Sequence, residues 1–470
     1  MINYTGTYTD KYQLTMAQVY FLKGNKYHAA VFDYFFRKLP FDGGYAVFAG
    51  LEDFLEALET LCFDIRDIEY LQTQGFHPDF LKYLQQFRFN GTVYACQEGD
   101  VIFPTCPIVC IEANIIEAQI IETLLLNILN FQSLIATKAH RIKQVADGRK
   151  LMEFGLRRAQ GPGGYYASRA AIIGGFHSTS NVAAGRDYGI PISGTMAHSF
   201  IQSYDSELAA FRDFADNWPN ECILLVDTYN TLASGVANAI TVAKEMESKG
   251  QRLKGIRLDS GDLAFLSRKA RQMLDNAGLN YVTITASNQL DEYIIKSLLE
   301  QKSPIDAFGV GTNLSIGAPD SALDGVYKLA YGNNKPRIKV SENAAKITLP
   351  GQKQTYRILD QDDHFSGADV IALTNETNID KMHHPLDPSK VFVFKNVRKE
   401  PLLHKVMEHG KRTGSPKALD RIAEYSKQRL DNLPEEYKRL THPHIYKVGL
   451  SDALKLQRDQ LMKEHEKVTL

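Results

Sequence analysis

LMEFGLRRAQG, residues 151–161, opens the stretch of the chain that decides its fold. It contains the first of six short, mostly apolar segments, each of which ends in polar or glycine-rich residues. The other five are IPISGT (190–195), CILLVDT (222–228), GIRLDS (255–260), VTITASN (282–288) and IDAFGVGT (305–312). Helix-compatible sequence separates most of them, and buried strands that alternate with helices predict an α/β fold with a parallel sheet.

The polar ends of these segments favour a β/α barrel. In such a barrel the carboxyl ends of successive strands meet at one face, and that face carries the catalytic residues. An open, doubly wound sheet would give the same local pattern. The segments therefore predict an irregular β/α barrel as the catalytic domain without establishing that the sheet closes.

Mixed secondary structure flanks this region on both sides. AAVFDYFFRKLP (29–40) has the aromatic and β-branched content of a strand, and LEDFLEALETL (51–61) has the period of a helix. Towards the end of the chain, residues 335–359 resemble short strands and turns, and residues 418–440 a charged helix pair broken near Pro434.

Three parts are therefore expected. Residues 1–130 are predicted to form an N-terminal α+β domain, and residues 131–325 the β/α barrel packed with it. Residues 326–470 are predicted to form a C-terminal segment, with some strands that return to the N-terminal domain and a charged helical extension.

Composition is that of an ordinary globular protein. The chain has 470 residues, of which 44% are hydrophobic and 23% charged, with a formal net charge of -1 and a pI near 6.9. This balance argues against disorder and lacks the basic footprint of a nucleic-acid-binding protein. The 5 cysteines include no CxxC pair, so reduced thiols are expected rather than a disulfide framework or a structural zinc site.

No targeting or membrane segment is expected. The first 18 residues lack the basic and apolar regions of a signal peptide. The apolar stretch 115–136 carries Glu117 and Glu122, which a membrane span would tolerate badly, and its apolar spacing is that of an amphipathic helix. We therefore expect a cytoplasmic protein that binds neither membrane nor nucleic acid.

Familiar nucleotide and hydrolase motifs are missing from the sequence. It contains no GxxxxGK[ST] loop, no GxGxxG between a strand and a helix, no HExxH and no GxSxG. The first positive signal is EFGLRRAQGPGG (153–164), in which two arginines follow an apparent strand. Guanidinium groups there could bind carboxylate or phosphate in a bidentate manner, although two surface arginines on a turn would look the same.

Two further signals lie at strand ends. His198, in SGTMAHSF (193–200), could act as an acid, a base, a nucleophile or a metal ligand, although a lone histidine is usually none of these. Asp227, Arg257, Asp259 and Asp262 follow two neighbouring strands. They suit a magnesium-bound phosphorylated sugar, and each could alternatively be a helix cap.

A glycine-rich turn follows the last strand. In FGVGTNLSIG (308–317), Gly309 and Gly311 would let backbone amides approach a ligand, and Thr312 adds a hydroxyl group. The motif alone is weak, but the loops after the last barrel strands often bind phosphate.

Taken together, these motifs resemble those of nicotinate phosphoribosyltransferases. The matching segments run in order along almost the whole chain: TDKYQLTMA (9–17), EFGLRRAQG (153–161), GTMAHSF (194–200), VDTYNT (226–231), RLDSGD (257–262), GVGT (309–312), TLPGQK (348–353) and HPHIYKVGLS (442–451). The resemblance implies that nicotinate and phosphoribosyl pyrophosphate form nicotinate mononucleotide and pyrophosphate. It also implies Mg²⁺ and coupling to ATP hydrolysis through a phosphohistidine, and the matching residue is His198.

The resemblance also assigns roles around the pyridine ring. Tyr12 would stack on the ring from the partner subunit of a homodimer with shared active sites, and Phe154 would cover the other face. Arg257 and Thr195 match positions that contact nicotinate, and Arg157 matches a position near the base and ribose.

Further roles concern the ribose and the phosphates. Asp227 matches a position near the base and ribose, and with Asp259 it could stabilise an oxocarbenium-like transition state. Thr312, Gly309 and Gly311 match the phosphate-binding turn. Asp259 and Asp262 are the candidate magnesium ligands.

One position bears on the choice of substrate. Relatives that use nicotinamide carry an aspartate in the loop that here reads HSTSNVAAG (177–185), where Ser180 takes the corresponding place. An aspartate would repel a carboxylate, so we expect nicotinic acid to be the substrate rather than the amide. Lys339, Lys346 and Lys353 could line the path of pyrophosphate or ATP, and solvated surface lysines are an equal alternative.

Other functions fit parts of the pattern. A nicotinamide or quinolinate phosphoribosyltransferase is the nearest alternative, although quinolinate enzymes are usually much shorter. A phosphosugar aldolase or isomerase on a β/α barrel would need a Schiff-base lysine or a catalytic glutamate at a strand end. A non-catalytic binding protein would have no need of His198.

Overall fold

The computed structural model describes residues 4–394 and 397–466. The chain divides into two compact units. Unit 1 combines the residues up to Thr137 with those from Ala322 onwards, and unit 2 consists of Lys138–Ser321. Both terminal segments of the chain therefore build one unit.

The N-terminal part of the chain supplies six helices and five strands. The helices are α1 (Lys11–Leu22), α2 (Leu51–Thr60), α3 (Ile65–Thr73), α4 (Pro78–Gln85), α5 (Ile115–Ile120) and α6 (Glu122–Val145). The strands are β1 (Ala29–Phe36), β2 (Ala46–Val47), β3 (Thr92–Ala95), β4 (Val101–Ile102) and β5 (Val109–Asn114).

Unit 2 alternates strands with helices. Its strands are β6 (Lys150–Glu153), β7 (Ser178–Thr179), β8 (Ile223–Leu225), β9 (Gly255–Leu258), β10 (Thr283–Ser287) and β11 (Ala307–Val310). Its helices are α7 (Gly163–Ile173), α8 (Val182–Tyr188), α9 (His198–Gln202), α10 (Glu207–Asn217), α11 (Ala237–Ser248), α12 (Leu263–Asn276), α13 (Glu292–Glu300) and α14 (Thr312–Ser315). A π-helical turn, Thr231–Val236, precedes α11.

The C-terminal part is mostly strands. They are β12 (Gly325–Gly332), β13 (Lys335–Pro336), β14 (Lys353–Leu359), β15 (Phe365–Leu373), β16 (Lys381–His383), β17 (Val391–Val393), β18 (Arg398–Pro401), β19 (His404–Glu408), β20 (Lys411–Arg412) and β21 (Lys447–Leu450). The helices are α15 (Leu419–Asp431), α16 (Glu435–Lys438) and α17 (Asp452–Glu466).

The sheet of unit 2 is parallel throughout, in the order β7-β6-β11-β10-β9-β8. The predicted α/β fold is confirmed. Among the predicted strands, the segment 190–195 forms only a single parallel bridge, between Ile192 and Thr179. The two-residue strand β7 was not predicted.

A backbone bridge and two side-chain contacts of residues 192–198 connect the two edges of this sheet. Ile192 bridges β7 at one edge, and Thr195, three residues later, accepts a hydrogen bond from Arg257 in β9. His198 then contacts Thr228, which follows β8 at the other edge. The sheet therefore curves back on itself as a barrel. The barrel is irregular, because backbone pairing does not continue from Ile192 to β8 in the described residues.

The sheets of unit 1 combine strands from both ends of the chain. The first has the order β13-β12-β1-β5-β3-β19-β20, in which β12 pairs with β1 and β19 with β3, both antiparallel. The second has the order β17-β16-β21-β15-β14-β18 and consists of C-terminal strands alone. A two-stranded sheet pairs β2 with β4.

Buried ion pairs connect the segments of unit 1. Asp100 accepts hydrogen bonds from Arg357 Nη1 at 2.8 Å and from Arg429 Nε at 2.9 Å, and Arg357 also binds Asp369. Lys353 is buried and lies 2.8 Å from Asp33, so its ammonium group has a structural partner.

The apolar stretch at 115–136 forms α5 and most of α6, as its spacing predicts. Glu117 and Glu122 are buried, and each is hydrogen-bonded: Glu117 accepts the N–H of Asn90 at 2.8 Å, and Glu122 accepts Gln13 Nε2 at 3.0 Å. Across residues 4–394 and 397–466, none of the helices is both long and apolar enough to cross a membrane.

Candidate active site

The predicted site residues of unit 2 gather at the carboxyl ends of its parallel strands. Phe154 follows β6, and its N–H donates to Val310 O in β11 at 2.8 Å. Asp227 follows β8, and Asp259 follows β9. Gly311 and Thr312 follow β11. Because the strands are parallel, these ends share one face of the barrel.

His198 begins α9 and lies between two carboxylates. Its Nε2 is 4.0 Å from Asp227 Oδ1 and 3.8 Å from Asp259 Oδ2, and its Nδ1 is 3.1 Å from Thr228 Oγ1. The imidazole side chain is 39% exposed. The imidazole is therefore oriented by one hydrogen bond and remains partly exposed.

Asp227 is held at the centre of the cluster. Its side chain is fully buried, and its Oδ2 accepts the N–H of Asp259 at 2.8 Å and the hydroxyl of Ser260 at 2.6 Å. Its Oδ1, on the His198 side, has no hydrogen-bond partner among the described residues. A buried carboxylate oxygen without a donor leaves an acceptor for a ligand hydroxyl, a proton or a cation.

Asp259 is anchored less tightly. Its Oδ1 accepts the hydroxyl of Ser287, which ends β10, and its Oδ2 lies towards His198. Its side chain is 32% exposed. The two carboxylates thus present one oxygen each to the imidazole.

Arg257 and Arg157 supply positive charge near this cluster. Arg257 Nη1 donates to Thr195 Oγ1 at 2.5 Å, whereas its buried Nε has no partner in the described part of the chain. Burial lowers the pKa of the Arg257 guanidinium, the carboxylates of Asp259 and Asp227 raise it, and the charge of Arg157 lowers it. An anion would satisfy the free donor and relieve the repulsion between the two guanidiniums.

Phe154 and the glycine-rich turn are in direct contact. A Cβ atom on Gly309 would lie 2.5 Å from the ring of Phe154, so only glycine leaves room for the ring there. Gly311 faces the backbone of Phe154, where the carbonyl oxygen would lie 3.1 Å from a Cβ, a tight contact. The flat ring is therefore fixed beside the phosphate-binding turn that the sequence predicts.

Three sequence models of one family match successive parts of the chain. They describe the nicotinate phosphoribosyltransferase N-terminal domain (residues 7–130), the nicotinate phosphoribosyltransferase family (149–364) and its C-terminal domain (352–458). The nicotinate phosphoribosyltransferase of Bacillus subtilis is 45% identical over 457 residues, which cover 95% of this chain and 92% of the relative. The chain belongs to the nicotinate phosphoribosyltransferase family.

Solved structures agree with this assignment. Human nicotinic acid phosphoribosyltransferase has a TM-score of 0.87 and 30% identity, and the match covers 96% of this chain and 99% of the human one. The nicotinate-nucleotide pyrophosphorylase from Pyrococcus furiosus has a TM-score of 0.71 and 25% identity, and the match covers 91% and 95% of the two chains. The resemblance seen in the motifs is confirmed.

Membership of the nicotinate phosphoribosyltransferase family selects among the functions considered above. The chain is an enzyme of NAD biosynthesis, and the phosphosugar aldolase and the non-catalytic binding protein are ruled out. The individual roles of the site residues stay predictions, which the geometry supports to different degrees.

Two further predicted site residues make other contacts or belong to the other unit. Asp262 caps α12, where its Oδ1 accepts the N–H of Phe265 at 3.0 Å, so the geometry favours the alternative role as a helix cap. Tyr12 lies in α1 of unit 1, and its side chain is 50% exposed.

Sequence reasoning missed three residues that orient the site. Thr228 contacts His198 Nδ1, and Ser287 donates to Asp259. Glu153 is buried beside Phe154 and accepts the N–H of Gly155. Thr228 directly follows the candidate Asp227, and Ser287 lies at the end of the predicted strand segment 282–288, so their places at strand ends were the available signal.

Proposed function

We propose that this chain forms nicotinate mononucleotide and pyrophosphate from nicotinate and phosphoribosyl pyrophosphate, coupled to ATP hydrolysis through phosphorylation of His198. The observation that carries the proposal is the position of His198 Nε2 between Asp227 and Asp259 at 4.0 and 3.8 Å. Family membership supplies the two substrates.

The transfer step needs charge stabilisation more than proton removal. The pyridine nitrogen attacks the anomeric carbon with its lone pair, the bond to pyrophosphate breaks, and no proton has to leave the nucleophile. Positive charge develops on the ribose, and the carboxylates of Asp227 and Asp259 are available to stabilise it. The nicotinate carboxylate would pair with the buried Arg257, whose Nε is free among the described residues.

Phosphorylation of His198 fits its hydrogen bonding. If Nδ1 donates its proton to Thr228 Oγ1, the lone pair of Nε2 remains available to attack the γ-phosphate of ATP, and ADP leaves. Water later cleaves the phosphohistidine. The added phosphoryl charge would lie beside two carboxylates, and this repulsion would reorganise the site without a phosphate-binding loop of the Walker type.

Magnesium is part of the proposal as a partner of the phosphates. No group of three or more His, Cys, Asp or Glu residues is arranged for a metal within residues 4–394 and 397–466. Magnesium does not need such a group, because it usually takes one or two carboxylates and completes its shell with phosphate oxygens and water. Asp227, with its unpartnered Oδ1, and Asp259 would hold it, and the ion would neutralise the leaving pyrophosphate.

The acid, rather than the amide, is the proposed substrate. Ser180 follows β7, and its N–H donates to the carbonyl oxygen of Glu153 at 2.9 Å, which fixes its backbone next to the segment of Phe154. A serine there adds no negative charge near a nicotinate carboxylate. Equal turnover of nicotinamide and nicotinate by the wild type would contradict this part.

A homodimer with shared active sites completes the proposal. Tyr12 is half exposed on α1, and Val19 and Leu22 of the same helix are 56% and 48% exposed. A second copy of the chain would cover these side chains, and Tyr12 of one copy would then stack on the pyridine ring bound by the other. Sedimentation that shows only monomers of the active enzyme would exclude shared sites.

The deciding experiment compares the wild type with His198→Ala. Product formation is measured with nicotinate, phosphoribosyl pyrophosphate and magnesium, with and without ATP, and phosphate incorporation is followed with γ-labelled ATP. We expect ATP to raise the yield of the wild type, and His198→Ala to lose both the ATP effect and the acid-labile label.

A matched control is His364→Ala. His364 is also near a carboxylate, with Nδ1 3.9 Å from Asp360, but it lies in unit 1 and its side chain is 57% exposed. This variant should behave as the wild type. If the wild type forms no mononucleotide under any condition, the proposed reaction is wrong. If His198→Ala keeps the ATP effect, only the phosphohistidine is wrong.

A further inference from the structure

Glu153 is a buried carboxyl group at the candidate site, and the reaction proposed above does not use it. It ends β6 and has no exposed surface. Burial raises the pKa of its carboxyl group, whereas hydrogen bonds from Thr179, Gly155 and Ser168 lower it. A polar group in such a position is costly unless its neighbours satisfy it.

Three donors from three segments satisfy this carboxyl group. The N–H of Gly155, in the turn after β6, donates to Oε1. The hydroxyl of Ser168, in α7, donates to Oε2 at 3.0 Å, and that of Thr179, in β7, donates to Oε2 at 2.6 Å. A single side chain therefore ties the turn, the helix and the neighbouring strand together.

Two of these segments carry predicted nicotinate-binding residues. Phe154 lies between Glu153 and Gly155, so the carboxyl group closes a turn around the residue that covers the pyridine ring. The backbone carbonyl oxygen of Glu153 accepts the N–H of Ser180 at 2.9 Å. Both positions are thus fixed directly by Glu153.

Thr179 extends the connection to a third segment. Its N–H donates to Pro191 O at 3.1 Å, and its carbonyl oxygen accepts the N–H of Ser193 at 2.8 Å. Two residues further on, Thr195 accepts the hydrogen bond of Arg257. Thr179 alone therefore connects the Glu153 carboxyl group to the segment of Thr195, which orients the Arg257 guanidinium.

We propose that Glu153 is a positioning residue for the nicotinate subsite, which holds the segments of Phe154, Ser180 and Thr195 in register without touching the substrate. This inference rests on the proposed function and deepens it. Asp227, Asp259 and Thr312, the residues proposed for the phosphoribosyl group, stand on other strand ends and accept or donate no hydrogen bond with this carboxyl group. Loss of the carboxylate should therefore affect nicotinate more than phosphoribosyl pyrophosphate, whose predicted turn it reaches indirectly, through the packing of Gly155 against Gly311.

The test is Glu153→Gln in the full-length enzyme. A glutamine keeps the size of the side chain but replaces one acceptor oxygen with a donor, so either the N–H of Gly155 or the hydroxyls of Ser168 and Thr179 lose their acceptor. We expect the KM for nicotinate to rise roughly 10- to 100-fold, because small misplacements of binding groups have effects of about this size, and the KM for phosphoribosyl pyrophosphate to rise less.

Two further variants separate positioning from general stability. Ser168→Ala removes one donor and should give a smaller rise in the nicotinate KM, and it serves in place of Glu153→Gln if that variant does not fold. Asp306→Asn is the control, since Asp306 Oδ2 accepts the N–H of Ile284 at 2.8 Å at the amino end of the strands. This control should leave both KM values unchanged.

The outcomes are distinguishable. Equal rises in both KM values, or a lower thermal midpoint with neither KM changed, would make Glu153 purely structural and overturn the inference while the proposed function stands. A wild type that forms no nicotinate mononucleotide would instead overturn the proposed function itself.

Discussion

At the scale of single residues, the site combines groups that the sequence predicts with groups that only the structure reveals. His198, Asp227 and Asp259 are brought within 4.0 Å of one another, as their places at strand ends predict. Asp262 was predicted as a ligand because it follows them closely in sequence. Its Oδ1 caps α12, a role that the sequence also allowed, since a helix start and a metal site favour the same residue types, and its part in binding magnesium stays a prediction.

Arg257→Gln should weaken nicotinate binding. The guanidinium is buried and has one donor without a partner among the described residues, so a carboxylate there gains a charge-assisted hydrogen bond. Hydrogen bonds to charged groups contribute about 1.5–3 kcal/mol, which corresponds to a rise in the nicotinate KM of about 10- to 100-fold. Steady-state kinetics with nicotinate varied at saturating phosphoribosyl pyrophosphate would measure it.

The matched control for Arg257 is Arg268→Gln. Arg268 lies in α12 of the same unit, and its Nη1 donates to Gln301 O at 3.1 Å on the surface. This variant should keep the nicotinate KM of the wild type. If Arg257→Gln raised only the KM for phosphoribosyl pyrophosphate, the guanidinium would belong to the phosphates instead.

At the scale of elements, the π-helical turn Thr231–Val236 fixes the end of β8. Gly235 lies directly on the backbone of this strand, and a Cβ atom there would be 1.8 Å from Val226 O, one residue before Asp227. Turns of this kind inside helices are frequent at functional sites. The position of Asp227, the proposed catalytic carboxylate, therefore depends on a residue that carries no side chain.

Gly235→Ala should lower kcat/KM while the protein remains folded. The methyl group must displace the end of β8 or the turn, which moves Asp227 relative to His198, and a displacement of about 1 Å can reduce the rate about 100-fold. Gly414→Ala is the control, because nothing lies within 4 Å of a Cβ at that position. Unchanged kinetics of Gly235→Ala, with circular dichroism of the wild type, would show that the turn does not position Asp227.

Strands of unit 2 were predictable to the extent that their apolar runs are long enough to recognise. β8, β9, β10 and β11 lie within their predicted segments, because buried parallel strands read as continuous apolar residues. β7 consists of Ser178 and Thr179 alone, which is too short and too polar to show a pattern. The segment 190–195 contains Pro191 and Gly194, which weaken a strand, and it keeps only the bridge at Ile192.

At the scale of the whole molecule, buried charges connect distant parts of unit 1. Asp100, Arg357 and Arg429 are far apart in sequence, so no local pattern could indicate that they meet. Burial acts to raise the pKa of Asp100, but the guanidiniums of Arg357 and Arg429 outweigh it, and the pKa lies below its usual value. Lys353, a candidate for the surface, likewise has a partner that is far away in sequence, because it is buried against Asp33.

Arg357→Met should destabilise unit 1 in a way that depends on pH. Removing one partner leaves a buried carboxylate and costs about 3–5 kcal/mol. A depressed pKa contributes stability above the unfolded pKa, near 4, and this contribution is lost as the pH falls through the folded pKa. The difference between variant and wild type should therefore shrink between pH 7 and pH 3 in urea unfolding followed by circular dichroism.

An exposed pair provides the comparison for Arg357. Arg398 and Asp363 lie 2.5 Å apart, with 63% and 58% of their side chains exposed, and Arg398→Met should change the free energy of unfolding by about 0–1 kcal/mol. If the deficit of Arg357→Met stayed constant from pH 7 to pH 3, packing rather than charge would explain it.

The insertion of unit 2 between the two halves of unit 1 has a consequence for synthesis on the ribosome. β1 and β3 emerge early, but their partners β12 and β19 follow only after residues 138–321 have been translated. At about 5–20 residues per second, those roughly 180 residues take about 10–40 s. During that interval the barrel can fold, whereas the nascent N-terminal sheet has open edges that a chaperone would have to shield.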